Sequence, residues 1–231
     1  MTNRERSVVL VSGGMDSLVT AAIAARDGDP SFLHVSYGQR TERRERAAFR
    51  AIADHFEVER QLECAFPVLG AIGGSALTDA SIPLREHGID RREIPTSYVP
   101  FRNGGLLSIA VSWAEVIDAT AVYIGAVEED SSGYPDCRES FFEAFGEAVR
   151  RGAARGEGIR IVTPLIRRSK AEIVRLGLEL GVPFELSWSC YRGEEEGCGV
   201  CDSCRLRLAA FRANNAEDPI PYARRANETE I

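Results

Sequence analysis

Two adjacent glycines near the start of the chain separate a short apolar run from a segment that favours a helix. The stretch SVVLVSGGMDSLVTAAIA covers residues 7–24. Residues 8–11 are mostly β-branched and suit a strand buried on both faces, while residues 18–25 favour a helix. Gly13 and Gly14 let the backbone approach a ligand closely, and the helix N-terminus leaves unpaired N–H groups at the same place. The sequence therefore predicts a phosphate-binding site in residues 12–17, which we call the phosphate corner.

A plainer explanation of the phosphate corner is a tight turn in which Ser12 or Asp16 only caps the helix. Such a turn needs one hydroxyl or carboxylate and rarely two glycines, which favours phosphate binding. A Walker A loop ends in Gly-Lys-Ser/Thr, and its lysine holds the β- and γ-phosphates. No lysine occurs in residues 12–17, so this corner differs from that class of phosphate loop.

Composition indicates a soluble globular protein without a membrane or nucleic-acid surface. The chain has 231 residues, which fit one substantial domain with room for a small appendage. The formal charge of -7 argues against general nucleic-acid binding, because neutralising phosphates along a duplex requires basic residues. The N-terminal MTNRERS has no signal-peptide core, and no apolar run reaches membrane-spanning length. We therefore expect a cytoplasmic protein.

Apolar runs alternate with segments of helical period through most of the chain, which predicts an α/β fold with a parallel sheet covered by helices on both faces. Strands are predicted at residues 8–11, 32–37, 58–62, 121–124 and 159–162. Helices are predicted at residues 16–26, 42–55, 106–117, 139–151 and 170–180. The corners after the strands should face one edge of the sheet, where ligands collect in such folds.

Two segments depart from this alternation. Residues 63–99 are long and poorly periodic, and we expect them to form a lid or a wall of the substrate pocket. The cysteines cluster near the C-terminus. We therefore predict an ATP-binding α/β domain over residues 1–186 and a zinc-binding knuckle with a C-terminal helix over residues 187–231.

The C-terminal cysteines have the spacing of a metal site. The run SCYRGEEEGCGVCDSC contains a C-x7-C-x2-C-x2-C array formed by Cys190, Cys198, Cys201 and Cys204. Two intervening residues let neighbouring thiolates turn toward one cation, and four sulfurs close a tetrahedral zinc site with no open position for water. Four incidental cysteines do not account for this density, so a structural zinc site is predicted. Of the other two, Cys64 is interpreted as a small core residue.

A zinc knuckle alone would also suit a binding module that contacts RNA or protein. Such a module has no need of a phosphate corner at the edge of an α/β sheet, whereas an enzyme needs both. The combination therefore favours an enzyme.

Several short motifs occur in one order over nearly the whole chain. They are SGGMDS at 12–17, YGQR at 37–40, GGSALTD at 73–79, YVPFRN at 98–103, SGYPDCR at 132–138, TPLIRRSKAEI at 163–173 and CDSCRLR at 201–207. In that combination the chain resembles the 7-cyano-7-deazaguanine synthases, the QueC family of queuosine biosynthesis in the PP-loop ATP pyrophosphatase superfamily. The resemblance implies a Rossmann-like sheet of the HUP, or adenine nucleotide α-hydrolase, type with a C-terminal four-cysteine zinc knuckle.

The resemblance also implies a reaction. Members of the family activate 7-carboxy-7-deazaguanine with ATP and Mg²⁺, displace the adenylate with ammonia to give an amide, and then activate and dehydrate that amide to the nitrile. The first activation is needed because an ionised carboxylate is a poor electrophile, and a mixed anhydride with AMP supplies a leaving group. The implied cofactors are ATP, Mg²⁺ and Zn²⁺, and a homodimer is the implied assembly.

The resemblance assigns roles to individual residues. Asp16, Lys170 and Arg102 form the catalytic set: Asp16 as a ligand of Mg²⁺, Lys170 against charge that builds on the phosphates, and Arg102 facing the substrate carboxylate or the phosphates. The residues assigned to ATP are Val11, Ser12, Gly13, Gly14, Met15, Asp16, Ser17 and Leu18. The residues assigned to the deazaguanine are Ser132, Tyr134, Asp136 and Arg138. In this set Asp136 accepts the N–H groups of the guanine-like edge and Tyr134 provides a stacking surface.

Three positions depart from the family pattern toward smaller side chains: Ser131, Thr41 and the pair Gly104 and Gly105. Less bulk near the pocket would admit a nucleophile larger than ammonia. QueC-like proteins of antiphage type IV CBASS operons attach the deazaguanine acyl group to a protein amine, and this activity is the alternative. A nitrile, an amide and a conjugate share the adenylation step, so the sequence leaves the final product open.

Overall fold

Five parallel strands form one sheet at the centre of the protein. The computed structural model describes residues 4–84, 94–128 and 133–223; Ser131 and Ser132 lie outside them. The strands are β1 (Arg6–Leu10), β2 (Asp29–Ser36), β3 (Gln61–Ala65), β4 (Ala121–Ile124) and β5 (Arg160–Val162). Their order is β3-β2-β1-β4-β5. β1 is the central strand, with β2 and β3 on one side of it and β4 and β5 on the other. Because the chain connections run to opposite sides of β1, a crevice opens at the carboxyl end of that strand.

Seven α-helices accompany the sheet in the described part of the chain. They are α1 (Met15–Asp27), α2 (Glu42–His55), α3 (Val68–Ile72), α4 (Arg102–Val116), α5 (Glu139–Gly152), α6 (Lys170–Glu179) and α7 (Asp202–Ala213).

Each face of the sheet has its own apolar core. Val9 points into a core shared by α1, α2, α6 and α7. Its neighbour Val8 points into a second core shared by α4 and α5, because successive side chains of a strand alternate between faces. The predicted α/β class, with helices on both faces of a parallel sheet, is confirmed.

The predicted element starts are wrong by three residues or more at three places. The second strand begins at Asp29 instead of at residue 32. The third strand begins at Gln61, which is paired with Phe32, instead of at residue 58. The third long helix begins at Arg102 instead of at residue 106. The segment 63–99, which is poorly periodic in sequence, contains the end of β3 and the helix α3.

The C-terminal segment contains a buried ion pair, and the arginine of that pair also bonds to the preceding part of the chain. Arg207 Nε and Nη2 donate to the two carboxylate oxygens of Asp218 at 2.7 and 2.9 Å, and both side chains are almost fully buried. Arg207 also donates to Ser187 Oγ at 2.7 Å and to the Phe184 carbonyl at 3.1 Å. The bond to Phe184 runs across the predicted boundary at residue 187. Within the described residues, no helix is both long and apolar enough to cross a bilayer.

Candidate active site

The carboxyl ends of β1, β2 and β4 open into a cavity of about 300 Å³. Its wall includes most of the phosphate corner, the loop after β2, the start of α4, and the residues Tyr134, Lys170, Trp188, Ser189 and Tyr191. The expectation that the corners after the strands converge on one edge of the sheet is confirmed. Of the eight residues assigned to ATP, all but Gly13 and Leu18 line this cavity.

Gly13 is held in a conformation and a space that suit only glycine. Its φ is +92°, in the left-handed region that side chains rarely adopt. A Cβ on Gly13 would lie 2.6 Å from the Glu45 carbonyl oxygen and 3.0 Å from the Ala48 Cβ. The phosphate corner therefore packs directly against α2.

The N-terminus of α1 has no side-chain cap. Its N-cap residue is Gly14, and Ser12 Oγ accepts only from the Gly14 N–H, at 3.2 Å. Ser17 Oγ donates to the Gly14 carbonyl at 2.9 Å. The plainer explanation, in which Ser12 or Asp16 merely caps the helix, is therefore wrong. The first turn of α1 lines the cavity, and an uncapped helix N-terminus can bind an anion.

Asp16 and Lys170 meet across the mouth of the cavity. Lys170 Nζ donates to Asp16 Oδ2 at 2.6 Å, although the two residues are on different helices. Lys170 is the first residue of α6, and its position is fixed because Ser169 and Glu172 form a capping box there.

The second carboxylate oxygen of Asp16 can still accept a hydrogen bond or coordinate a metal ion. Asp16 Oδ1 is buried and has no hydrogen-bond partner in the described part of the chain. An unpaired buried carboxylate oxygen is costly. Oxygen ligands of this kind are what Mg²⁺ takes, so the residues present fit a magnesium ion beside the phosphate corner.

Arg102 and two tyrosines, Tyr37 and Tyr134, also line the cavity. Arg102 Nη1 donates to the Tyr37 hydroxyl at 3.2 Å, and its Nε and Nη2 both lie 3.3 Å from Asn103 Oδ1. The Tyr134 hydroxyl lies 2.7 Å from Ser97 Oγ. Burial raises the pKa of the Tyr37 and Tyr134 phenols. Arg102 has no carboxylate partner among the described residues, so its charge suits an incoming anion.

The Asp136 side chain forms a hydrogen bond with the first turn of α4 and does not line the cavity. Its Oδ2 accepts from the Asn103 N–H at 2.9 Å, and Asn103 Nδ2 donates to the Asp136 carbonyl at 2.9 Å. Burial raises the pKa of this carboxyl. Since Phe101, the N-cap residue of α4, supplies no side-chain cap, Asp136 supplies one from a distant part of the chain.

Two other assigned residues also lie outside the lining of the cavity. Leu18 is fully buried in the core of α1. Arg138 is exposed and precedes α5.

The hypothesis that Gly104 and Gly105 enlarge the pocket is wrong. A Cβ on Gly104 would lie 2.2 Å from a ring carbon of Phe101, and one on Gly105 would lie 3.0 Å from the Phe66 ring. Aromatic rings therefore fill the space that larger residues would take. Thr41 does line the cavity, and its Oγ1 donates to Glu45 Oε1 at 2.8 Å.

Glu45 is a cavity residue that sequence reasoning missed. Gln39 Nε2 donates to Glu45 Oε2 at 3.0 Å, and the Tyr37 N–H donates to Gln39 Oε1 at 2.9 Å. Burial raises the pKa of the Glu45 carboxyl. The YGQR motif signalled the loop, but no local pattern shows that a residue on α2 would face it.

The four predicted zinc ligands are brought together. The Sγ atoms of Cys190, Cys198, Cys201 and Cys204 all lie within 4.8 Å of one another. The N–H groups of Arg192, Gly193 and Cys198 donate to Cys190 Sγ at 3.2–3.3 Å. Hydrogen bonds with the other three thiols lower the pKa of Cys190. Four sulfurs in this arrangement fit a closed structural zinc site. We call residues 190–204 the cysteine knuckle.

The other two cysteines differ in their surroundings. Cys64 packs, partly buried, beside the core of α4 and α5. Cys137 is buried in the cavity wall and accepts from Asn103 Nδ2 at 3.2 Å.

Trp188 connects the cysteine knuckle to the phosphate corner. Its backbone N–H donates to the Gly13 carbonyl at 2.7 Å, and its indole Nε1 donates to the Gly193 carbonyl at 2.9 Å. The Arg44 guanidinium lies 4.5 Å from the Trp188 ring centroid, a cation–π distance.

Comparison with known proteins gives full-length similarities. The family model described as "Queuosine biosynthesis protein QueC" matches residues 6–215. A protein of Chloroherpeton thalassium named 7-cyano-7-deazaguanine synthase is 57% identical over 218 residues, which cover 94% of this chain and 96% of that protein. A protein of the same name from Acidobacterium capsulatum is 56% identical over 227 residues, which cover 96% of this chain and 98% of that protein.

A solved structure shares the fold at low sequence identity. It is a predicted subunit of tRNA methyltransferase from Methanocaldococcus jannaschii, with a TM-score of 0.50 and 15% identity, covering 76% of this chain and 75% of that one. At this identity the likeness concerns the fold alone.

Proposed function

Because the chain belongs to the QueC family of queuosine biosynthesis proteins, we propose that it is an ATP-dependent C–N ligase that makes 7-cyano-7-deazaguanine from 7-carboxy-7-deazaguanine and ammonia. The observation that carries this proposal is one cavity that joins the Asp16–Lys170 pair at the phosphate corner to Arg102 and Tyr134. A nucleotide and a carboxylate substrate can meet in such a cavity.

In the first step, the substrate carboxylate attacks the α-phosphorus of ATP. An O–P bond forms, the bond from the α-phosphorus to pyrophosphate breaks, and pyrophosphate leaves with the bonding electrons. The N–H groups of the phosphate corner and the Lys170 ammonium hold the departing pyrophosphate. Mg²⁺, held by Asp16, would supply further shielding of the phosphate charge.

Elsewhere in the cavity, Arg102 and Tyr134 orient the deazaguanine. The guanidinium of Arg102 pairs with the carboxylate, which brings its oxygen toward the nucleotide. The Tyr134 ring gives the heterocycle a stacking surface. Ser132, Asp136 and Arg138, which share the SGYPDCR motif with Tyr134, remain proposed substrate-binding residues.

In the later steps, ammonia attacks the acyl carbon, a C–N bond forms, and AMP leaves. A second ATP then activates the amide oxygen, and loss of AMP with two protons from nitrogen gives the nitrile. The alternative, acyl transfer to a protein amine, lacks a supporting observation because rings of Phe101 and Phe66 fill the space at Gly104 and Gly105. The homodimer and the cytoplasmic location remain predictions from the sequence.

The test is mass spectrometry of the products formed from 7-carboxy-7-deazaguanine, ATP, Mg²⁺ and ammonia. We expect the nitrile, with AMP and pyrophosphate from each activation. Without ammonia, the acyl adenylate should accumulate. ADP and phosphate as the sole nucleotide products, or no consumption of the carboxylate, would refute the proposal. A parallel reaction with protein amines tests the alternative.

A further inference from the structure

Glu45 is a cavity residue that adjoins both the phosphate corner and the charge of Arg102. Its carbonyl oxygen is the atom that a Cβ on Gly13 would strike, at 2.6 Å, so its backbone packs against the phosphate corner. Its carboxylate lines the cavity and feels the charge of Arg102, which acts to lower the pKa of the carboxyl against the larger, opposite effect of burial. The acyl–AMP bond of the proposed reaction must lie between the phosphate corner and Arg102, and Glu45 adjoins both.

The side chains that donate to the Glu45 carboxylate are uncharged, so they do not neutralise its negative charge. Its two oxygens accept from neutral donors, Gln39 Nε2 at 3.0 Å and Thr41 Oγ1 at 2.8 Å. Each carboxylate oxygen can accept more than one hydrogen bond. Glu45 forms no ion pair with a basic side chain within the described ranges, whereas Asp16, another carboxylate of the cavity, is paired with Lys170.

A half-buried carboxylate held by neutral donors attracts a small cation from solvent. Ammonium carries only N–H donors and one positive charge, and it fits such a site. Arg102 and Lys170 also line the cavity and carry positive charge, and Glu45 adds a negative group to the same wall.

We infer that Glu45 is the residue that binds the incoming ammonium ion and accepts a proton from the attacking nitrogen. This inference rests on the proposed function. The ammonium ion first loses one proton to solvent. The nitrogen lone pair then forms the C–N bond, the nitrogen passes a second proton to the Glu45 carboxylate, and the C–O bond breaks so that AMP leaves with the electron pair. Glu45 returns its proton to water.

The experiment separates adenylation from amidation. Adenylation is measured without ammonia, as ATP–pyrophosphate exchange that depends on 7-carboxy-7-deazaguanine. Amidation is measured as the rate of amide plus nitrile formation over a range of ammonium chloride concentrations. Glu45→Gln should raise the KM for ammonium by about tenfold or more, the effect of losing a charged hydrogen-bond partner, and leave exchange within about twofold.

Two further variants keep the result interpretable. Glu42→Gln removes a carboxylate from the same helix outside the cavity and should leave both assays unchanged. Glu45→Asp retains the charge on a shorter side chain and should restore part of the ammonium affinity; it also replaces Glu45→Gln if that variant does not fold.

Each outcome bears on one claim. An unchanged KM for ammonium in Glu45→Gln, or an equal loss of exchange and amidation, would overturn the role of Glu45. Absence of exchange in the wild-type protein would instead refute the proposed function, and the inference would fall with it.

Discussion

The backbone N–H of Trp188 donates to the Gly13 carbonyl at 2.7 Å. This bond connects the cysteine knuckle to the phosphate corner through Trp188, because Trp188 also packs with Cys190, Cys201 and Cys204 in one buried cluster. Loss of the metal should therefore affect both the stability of the fold and the binding of nucleotide.

The first prediction concerns the metal ligands of the cysteine knuckle. Cys201→Ala removes one of four zinc ligands and should lower the zinc content and the melting temperature together, the latter by about 10 °C for a loss of a few kcal/mol. Metal analysis and thermal unfolding measure the two effects. Cys64→Ala, which truncates a cysteine outside the knuckle, should retain zinc. A folded Cys201→Ala protein with normal zinc content that loses only turnover would contradict the structural assignment.

The second prediction concerns Lys170. Lys170→Met keeps the aliphatic stem but removes the ammonium that contacts Asp16, and it should lower kcat/KM for AMP formation by roughly 100-fold or more. Arg167→Met, three residues earlier, removes a cation that pairs with Glu139 at the surface and should change the rate by less than about twofold. Equal rates for the two variants would exclude a role of Lys170 in the reaction.

The third prediction separates two contributions to the free energy of unfolding at Gly13: left-handed backbone strain and steric overlap with α2. Gly13→Ala should destabilise the protein by about 3 kcal/mol or more, because the new Cβ meets both left-handed backbone strain and the Glu45 carbonyl. Gly181 has a φ of +68°, and nothing lies within 4 Å of the position that a Cβ would take there. Gly181→Ala should therefore cost only the strain, about 1 kcal/mol. Urea unfolding compares the variants, and similar losses would show that the contact with α2 is unimportant.

The fourth prediction concerns the ion pair between Arg207 and Asp218. Arg207→Met leaves a buried carboxylate without its partner and should lower the free energy of unfolding by about 3–5 kcal/mol. Arg50→Met breaks a surface pair with Glu63, in which the Arg50 side chain is 58% exposed, and should cost less than about 1 kcal/mol. Chemical denaturation of both variants checks the difference. A small loss in Arg207→Met would mean that the buried charges contribute little net stability.

Local sequence patterns were sufficient to predict most of the fold. The β-branched run of β1 and the helical periods of α1, α2 and α5 are local signals, and these elements occur within a few residues of their predicted bounds. The start of α4 could not be predicted in this way. Its first turn is capped by Asp136, far along the chain, so the helix begins before its apolar pattern does.

The candidate site also combines features that local sequence predicts with features that depend on contacts between distant segments. The spacing of the cysteines and the two glycines of the phosphate corner are readable in the sequence. The space beside Gly104 is not, because it depends on Phe101, whose φ of +52° turns its ring back over the helix. Likewise, Glu45 is brought to the cavity by the packing of α2 against Gly13. This contact joins two separate segments of the chain, so no single sequence motif predicts it.

The bond between Gly13 and Trp188 also sets an order of events during synthesis. The phosphate corner leaves the ribosome early, but its Gly13 carbonyl receives the Trp188 N–H only after residue 188 has emerged. At about 5–20 residues per second, that interval lasts on the order of ten seconds or longer. The nascent chain thus carries its phosphate corner without this hydrogen bond until the C-terminal segment emerges, so a ribosome-bound fragment that lacks the segment would also lack the bond.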